Sequence, residues 1–181
     1  MKIIIDQIQD NKPFSLHVEE KVESFPVLSG MQSAGEVTFT GPIGSDITIE
    51  REYDHLRAVG RVVAPLSLAC SRCLARYDDV IVSSFTIIFR KGTALDAVEE
   101  DEIELNEQDL ISSSYIGNEI DFTHEIEEQV TMEIPLKPLC SENCKGLCPV
   151  CGTDLNKASC DCSRGDFSLK FSALKDFKVS R

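Results

Sequence analysis

Between Cys140 and Cys162 the chain places six cysteines in twenty-three residues, with almost no large apolar side chain among them. A stretch of that composition cannot bury enough surface to fold by itself. Something covalent or coordinate must hold it. Cys70 and Cys73 bring the total to eight cysteines. Whether eight thiols mean disulfides or metal depends on compartment. The first residues read Met1-Lys2-Ile3-Ile4-Ile5-Asp6, an apolar run of three that stops at an acid. A secretory signal needs a longer run and a small-residue cleavage site, and no segment approaches the roughly 18 apolar residues of a membrane span. The chain is expected in the cytoplasm, away from membranes, where close cysteine pairs point to metal.

Cys70-Ser71-Arg72-Cys73 is one C-x2-C pair, and Cys148-Pro149-Val150-Cys151-Gly152 is a second. A metal knuckle folds the backbone into a tight turn, so that both thiolates and nearby amide N–H groups face the ion. Pro149 presets one dihedral, and Gly152 permits a left-handed residue without steric cost. Cys140-x3-Cys144 and Cys160-Asp161-Cys162 supply four more thiols. Eight thiolates divide into two tetrahedral zinc sites. Cys148, Cys151, Cys160 and Cys162 lie within fifteen residues and form one natural set. Cys140 and Cys144 would then join Cys70 and Cys73, pinning the tail to the rest of the chain. In the rival arrangement only the tail binds metal and Cys70 and Cys73 stay free, so one or two zinc ions are expected.

The zinc reads as structural. A catalytic zinc keeps an open position and commonly uses histidine or carboxylate ligands. The three histidines are His17, His55 and His124, and His124-Glu125-Ile126-Glu127-Glu128 lacks the second histidine of a metalloprotease helix. There is no phosphate-cradling glycine loop and no nucleophile elbow. The chain is expected not to be an enzyme and to take no small-molecule substrate. A thiol-redox or zinc-sensing protein is the alternative, and it would need a reactive low-pKa thiolate. A zinc hydrolase acting on RNA is a third, weaker option.

Eighteen basic and thirty-one acidic residues give a net charge of -13, which excludes a surface that is basic throughout. The acidity is local. Residues 93–133 hold fourteen acids and no Lys or Arg, whereas 51–92 and 134–181 each carry a net +3. Residues 1–92 read as short strands: Ile3 to Ile8, Glu36 to Thr40, Ile47 to Glu50, Ala58 to Leu68 and Val80 to Phe89, with turns at Gly41-Pro42 and Gly44-Ser45. Short turns between successive strands favour an antiparallel sheet or small barrel. Leu95 to Leu105 reads as an exposed acidic loop. Phe122, Ile126 and Val130 then make one apolar stripe, predicting a helix over about 121–134 with Asp121 as N-cap and Pro135 as terminator. The tail from Phe167 to Phe177 is amphipathic, with Lys170 and Lys175 among its apolar residues and Lys178 directly after them. The expected class is α+β: a β-rich domain over 1–135 with one or two helices, followed by a cysteine-rich zinc module over 136–181.

Cys70-Ser71-Arg72-Cys73-Leu74, an acidic middle, the string C-S-E-N-C-K-G-L-C-P-V-C-G-T-D-L-N from Cys140 to Asn156, and the final Cys160-Asp161-Cys162 together resemble the YceD family of large ribosomal RNA subunit accumulation proteins. The likeness extends over most of the chain. It implies a role in accumulating large-subunit (23S) ribosomal RNA, during assembly of the large subunit. The family's genes commonly neighbour one for a large-subunit ribosomal protein. Some members keep only the early cysteine pair. Many members carry Asp-Pro-Arg after the last cysteines, where this chain has Asp166-Phe167-Ser168.

The expected function is therefore a non-enzymatic ribosome biogenesis factor whose partners are large-subunit ribosomal RNA, a pre-ribosomal particle or a basic ribosomal protein. Candidate RNA contacts are Arg57, Arg61, Arg72, Arg76, Arg90 and Lys91, with Lys137, Lys145, Lys157 and Arg164 near the cysteines. The bland alternative is that these are scattered solvated charges, since +3 per segment is a weak footprint. The acidic block suits a basic protein by charge complementarity.

Overall fold

Alternation of apolar and polar residues in the long strands sets the architecture. The structure, a computed structural model, describes residues 1–10, 12–92 and 111–162. In chain order the elements are β1 (Lys2–Ile4), β2 (Phe14–Glu20), α1 (Pro26–Ser33), β3 (Thr38–Phe39), β4 (Ile43–Glu52), β5 (His55–Ala69), β6 (Arg76–Lys91), β7 (Ser112–Tyr115), β8 (Glu119–Asp121) and α2 (Thr123–Glu133). The main sheet runs β2-β4-β5-β6-β7, with β3 also paired to β5. The fold is α+β and mostly antiparallel. The exception is β7, which lies parallel to β6. A separate two-stranded ribbon joins β1 to β8.

The spine is the β5–β6 hairpin, in register from His55↔Arg90 to Ala69↔Arg76. Along β5 every second residue is buried: Leu56, Ala58, Val62, Ala64, Leu66 and Leu68. Ile47 and Ile49 of β4 and Phe85 and Phe89 of β6 join the same face. A period of two is what a sheet with one buried face requires. Gly60 breaks the run of side chains because its cross-strand partner is Phe85, and a Cβ there would collide with that ring. Leu28 of α1 and Phe122, Ile126 and Val130 at α2 close the core. The Phe122 ring meets Phe89 edge to face with centroids 5.1 Å apart, a favoured aromatic geometry.

Both helices start without a side-chain cap from the residue before them. At α1 the Glu127 carboxylate of α2 accepts the Val27 N–H at 2.6 Å, which places a negative charge at the positive end of the helix dipole and accounts for burying a glutamate. At α2 the predicted cap Asp121 acts from one position further out. Phe122 is the N-cap, and the Asp121 carboxylate accepts the Thr123 N–H at 2.9 Å. The helix ends before Ile134 and Pro135, as proline requires. The expected strand from Ile3 to Ile8 is shorter: after Ile4 the chain turns through a 3-10 segment, Ile5–Gln7. The expected strand Glu36 to Thr40 is only Thr38–Phe39, and Gly41-Pro42 separates it from β4 on the same side of β5. The acidic loop Leu95 to Leu105 and the tail Phe167 to Phe177 lie outside the described residues.

Candidate metal centres

The turn closing the β5–β6 hairpin is the first cysteine pair. The Cys70 N–H donates to the Ala75 carbonyl at 2.9 Å, and the Leu74 N–H returns to the Cys70 carbonyl at 2.9 Å. Leu74 takes a left-handed φ of 61° to close the turn. The second pair folds the same way. The Cys148 N–H donates to the Thr153 carbonyl at 2.8 Å, the Gly152 N–H to the Cys148 carbonyl at 2.8 Å, and Gly152 has φ 75°. A short bridge between Leu147 and Asp154 flanks it. In the first turn the Arg72 N–H approaches Cys70 Sγ at 3.4 Å, and in the second the backbone N–H groups of Cys151 and Val150 hold the Cys148 thiol below its ordinary value.

Each knuckle gathers two further cysteines. The sulfurs of Cys70, Cys73, Cys140 and Cys144 lie within 4.8 Å of one another, and so do those of Cys148, Cys151, Cys160 and Cys162. Cys70 Sγ is 3.7 Å from Cys144 Sγ, and Cys73 Sγ is 3.7 Å from Cys140 Sγ. A disulfide would hold sulfurs about 2.05 Å apart, and all eight cysteines are free. Four thiolates around zinc at about 2.3 Å have sulfur–sulfur edges of about 3.8 Å. The observed separations therefore fit a four-thiolate tetrahedron and not a bond.

The first set lies deep at the hairpin tip. Cys70, Cys73 and Cys144 are buried against Ala75, Tyr77, Leu139 and Leu147, while Cys140 is exposed. The second set is more open, with Cys148 buried, Cys160 and Cys162 half-buried and Cys151 exposed. Acidity is split within each set. Backbone N–H groups, led by that of Cys140, bring the Cys70 thiol down to about 6. Although the residue is exposed, loss of water around its sulfur and the neighbouring thiols push Cys140 up to about 12. In the second set the Thr153 hydroxyl, 3.1 Å from Cys151 Sγ, brings that thiol down to about 6. Its hydrogen bond with Cys151 and its burial push Cys162 up to about 12. One thiolate suppresses the next. A divalent cation at the centre reverses that suppression and favours all four thiolates.

Several side chains that hold these turns are invisible to a search for ligands. Arg72 donates through Nη1 to the carbonyls of Glu142 at 3.1 Å and Cys144 at 3.0 Å. Its own carbonyl accepts the Leu147 N–H at 3.1 Å, and the Ser71 N–H donates to the Pro138 carbonyl at 2.8 Å. Gly146, with φ 74°, packs so that a Cβ would stand 3.0 Å from the Arg72 carbonyl oxygen. Asn156, between Cys151 and Cys160 in the chain, ties that loop to the first set: its Oδ1 accepts the Lys145 N–H at 2.8 Å, and its Nδ2 donates to Cys144 Sγ at 3.3 Å. The only sequence signal for Asn156 was its place at the end of the cysteine-rich string.

The basic candidates are dispersed. Arg57, Arg61, Arg76 and Arg90 stand on the outer face of the β5–β6 ribbon. Arg57 faces Glu50 in register and lies 3.7 Å from Glu52, and Arg61 faces Asp46. Arg76 donates to the Thr38 hydroxyl at 3.0 Å. Lys91 ends β6. Lys137 and Lys145 are exposed near the cysteines, and Lys157 is 3.7 Å from Asp154. Arg164 lies outside the described residues. His17 lies on β2 beside Asp46 at 2.7 Å, His55 opens β5, and His124 lies in the first turn of α2; none approaches either cysteine set.

Comparison with known proteins places this geometry in context. The family model for large ribosomal RNA subunit accumulation protein YceD matches residues 58–178, which takes in most of the β5–β6 hairpin, α2 and both cysteine sets. The chain is 28% identical over 160 residues to the Arabidopsis thaliana large ribosomal RNA subunit accumulation protein YCED homolog 1, chloroplastic, covering 76% of this chain and 49% of that one. The Zea mays homologue of the same name is 25% identical over 142 residues, covering 67% and 48%. An uncharacterized protein of Mycobacterium tuberculosis is 30% identical over 112 residues, covering 61% and 50%. The chain thus spans about half the length of the curated relatives it matches. No solved structure matches it. Among the described residues no helix is long and apolar enough to cross a membrane.

Proposed function

The chain belongs to the YceD family, and on that premise we propose that it is a non-enzymatic, cytoplasmic factor that promotes accumulation of large-subunit ribosomal RNA. It does so by binding that RNA, a large-subunit ribosomal protein, or both. The observation that carries this reading is the family match over residues 58–178, which includes both C-x2-C turns. Two zinc ions complete the protein, one held by Cys70, Cys73, Cys140 and Cys144 and the other by Cys148, Cys151, Cys160 and Cys162. Zinc there supplies coordination energy and orientation. Four thiolates leave no open position for a water or substrate. The chain's own part is to clamp residues 138–147 to the tip of a rigid hairpin through Arg72 and Ser71. That clamp fixes the backbone at Lys145, whose N–H is held by Asn156, and at Pro138, the neighbour of Lys137.

Depletion of the protein is expected to lower the ratio of large- to small-subunit ribosomal RNA, and the intact chain restores it. A variant with Cys148→Ser and Cys160→Ser is expected to restore it poorly. Elemental analysis should find two zinc ions per chain. An unchanged RNA ratio on depletion would overturn the assignment. Affinity for the RNA that falls steeply with salt would mark direct phosphate contact.

A further inference from the structure

Two hollows open along one side of the helix layer. One, of about 320 Å³, lies between the start of α1 and the body of α2 and includes Val27, Glu128, Thr131 and Met132. The other, of about 350 Å³, lies beyond the end of α2 and includes Met31, Glu36, Thr131 and Leu136. Thr131 lines both. Val27 and Met31 are one helical turn apart on α1, so they share a face. The hollows are therefore consecutive parts of one groove running along α2. Apolar side chains stand open along it: Val27 is 52% exposed, Met132 73% and Leu136 101%. Its rim is acidic. Glu36 and Glu128 line the hollows and are exposed, and no Lys or Arg lines either hollow. His124 is the one lining group that can carry positive charge. Glu127 also lines the groove, but its carboxylate already accepts the Val27 N–H.

Open apolar side chains rimmed by like charges mark an interaction surface. Carboxylates repel phosphate, so neither RNA nor an acidic lipid surface suits this rim. We propose that the groove between α1 and α2 binds a lysine- and arginine-rich amphipathic helix of a partner protein. Its apolar face seats over Val27, Met132 and Leu136, and its cations meet Glu36 and Glu128. Helix in groove is a recurrent recognition mode, read out at i, i+3, i+4 and i+7. The eleven residues of α2 give a groove about 16 Å long, which three turns of helix fill. The identification of that partner as a large-subunit ribosomal protein rests on the reading above. The groove's chemistry does not. The surface also differs from the cysteine sets, so one molecule has an acidic docking face on its helices and basic groups at its hairpin tip.

The test uses the zinc-loaded full chain and a synthetic helix of about 14 residues, leucine on one face and lysine on the other. A control peptide has the same composition with the leucines spread around the helix. Amide chemical shifts should move along α1, along α2 and at Leu136, and stay still on the outer sheet face. The control should bind at least tenfold more weakly. The double variant Glu36→Lys, Glu128→Lys should lose at least tenfold in affinity, and Met132→Ser about fivefold, both with unchanged spectra in the absence of peptide. Lys145→Glu should change nothing. Shifts scattered over every acidic surface, or equal affinity for the control, would overturn the proposal. So would tighter binding after removal of residues 163–181, which would make the chain's own tail the occupant, or loss of the site on dimerisation. The titration contains no ribosomal component, so failure of the ribosomal reading leaves its result intact.

Discussion

The two cysteine turns share a hydrogen-bond pattern and differ in what supports it. In both, the first cysteine's N–H reaches the carbonyl five residues on, and the residue four on returns its N–H to the first cysteine. In both, the residue four on is left-handed, yet it is Leu74 in one and Gly152 in the other. A non-glycine residue there costs about 1–2 kcal/mol. The first turn tolerates the strain because fifteen register pairs of β5 and β6 bring its ends together. The second has only the Leu147–Asp154 bridge behind it, and uses Pro149, Gly152 and Asn156 instead. A metal knuckle can thus be shaped by the fold around it or by its own residues.

Removing metal should break the comparison most visibly. A structural zinc contributes on the order of 10 kcal/mol of apparent folding free energy. Chelation is expected to abolish amide protection from Cys140 to Cys162 while β4, β5 and β6 keep theirs, as read by hydrogen exchange. The more open second set should release its ion first. A sheet that unfolds together with the tail would show that the hairpin depends on metal as much as the tail does.

Single ligands sharpen the same contrast. Cys148→Ser should leave one zinc per chain, because the ligands of the first set are clamped independently by Arg72. Cys70→Ser should also leave one, because the second set's ligands are local in the chain. Loss of both ions from Cys70→Ser would make the second site dependent on the first, through Asn156. That link has its own, smaller test. Asn156→Ala removes the donor to Cys144 Sγ and the acceptor for Lys145 N–H. Outer-shell partners of metal ligands typically account for about 10- to 100-fold in affinity. A competition titration against a chromophoric chelator should therefore show at least a tenfold loss at the first site.

What could be read from the sequence follows the distance over which each feature is determined. The apolar stripe of Phe122, Ile126 and Val130 predicts α2 because it is local. Gly152 is legible as a left-handed position for the same reason. The eight-residue α1 escapes because Ser29, Gly30 and Ser33 are weak helix formers, and its start is capped from α2 a hundred residues away. The parallel pairing of β7 escapes because the partner of the Ser112–Tyr115 segment is set by the whole sheet. Arg72 reads as a surface charge, yet its guanidinium holds carbonyls seventy residues further on. Leu74 carries no sign at all of its left-handed backbone, which the hairpin imposes.

The smallest expected effect is also the most direct measure of that imposition. Leu74 is 68% exposed, so its side chain contributes little burial, and Leu74→Gly should relieve the left-handed strain. Against the extra freedom that glycine gives the unfolded chain, the net gain should be about 0.5–1 kcal/mol, read as a higher denaturation midpoint of the sheet. Leu74→Ala keeps the strain and should gain nothing, which separates backbone from side chain. The reciprocal change is Gly152→Ala. A Cβ there meets nothing within 4 Å, so its cost is the dihedral alone, about 1 kcal/mol, read as faster zinc release from the second set. Opposite signs at equivalent positions would mean that the two turns share one geometry and differ only in what enforces it. A loss on Leu74→Gly would mean that the leucine itself, not the hairpin, holds the first knuckle closed.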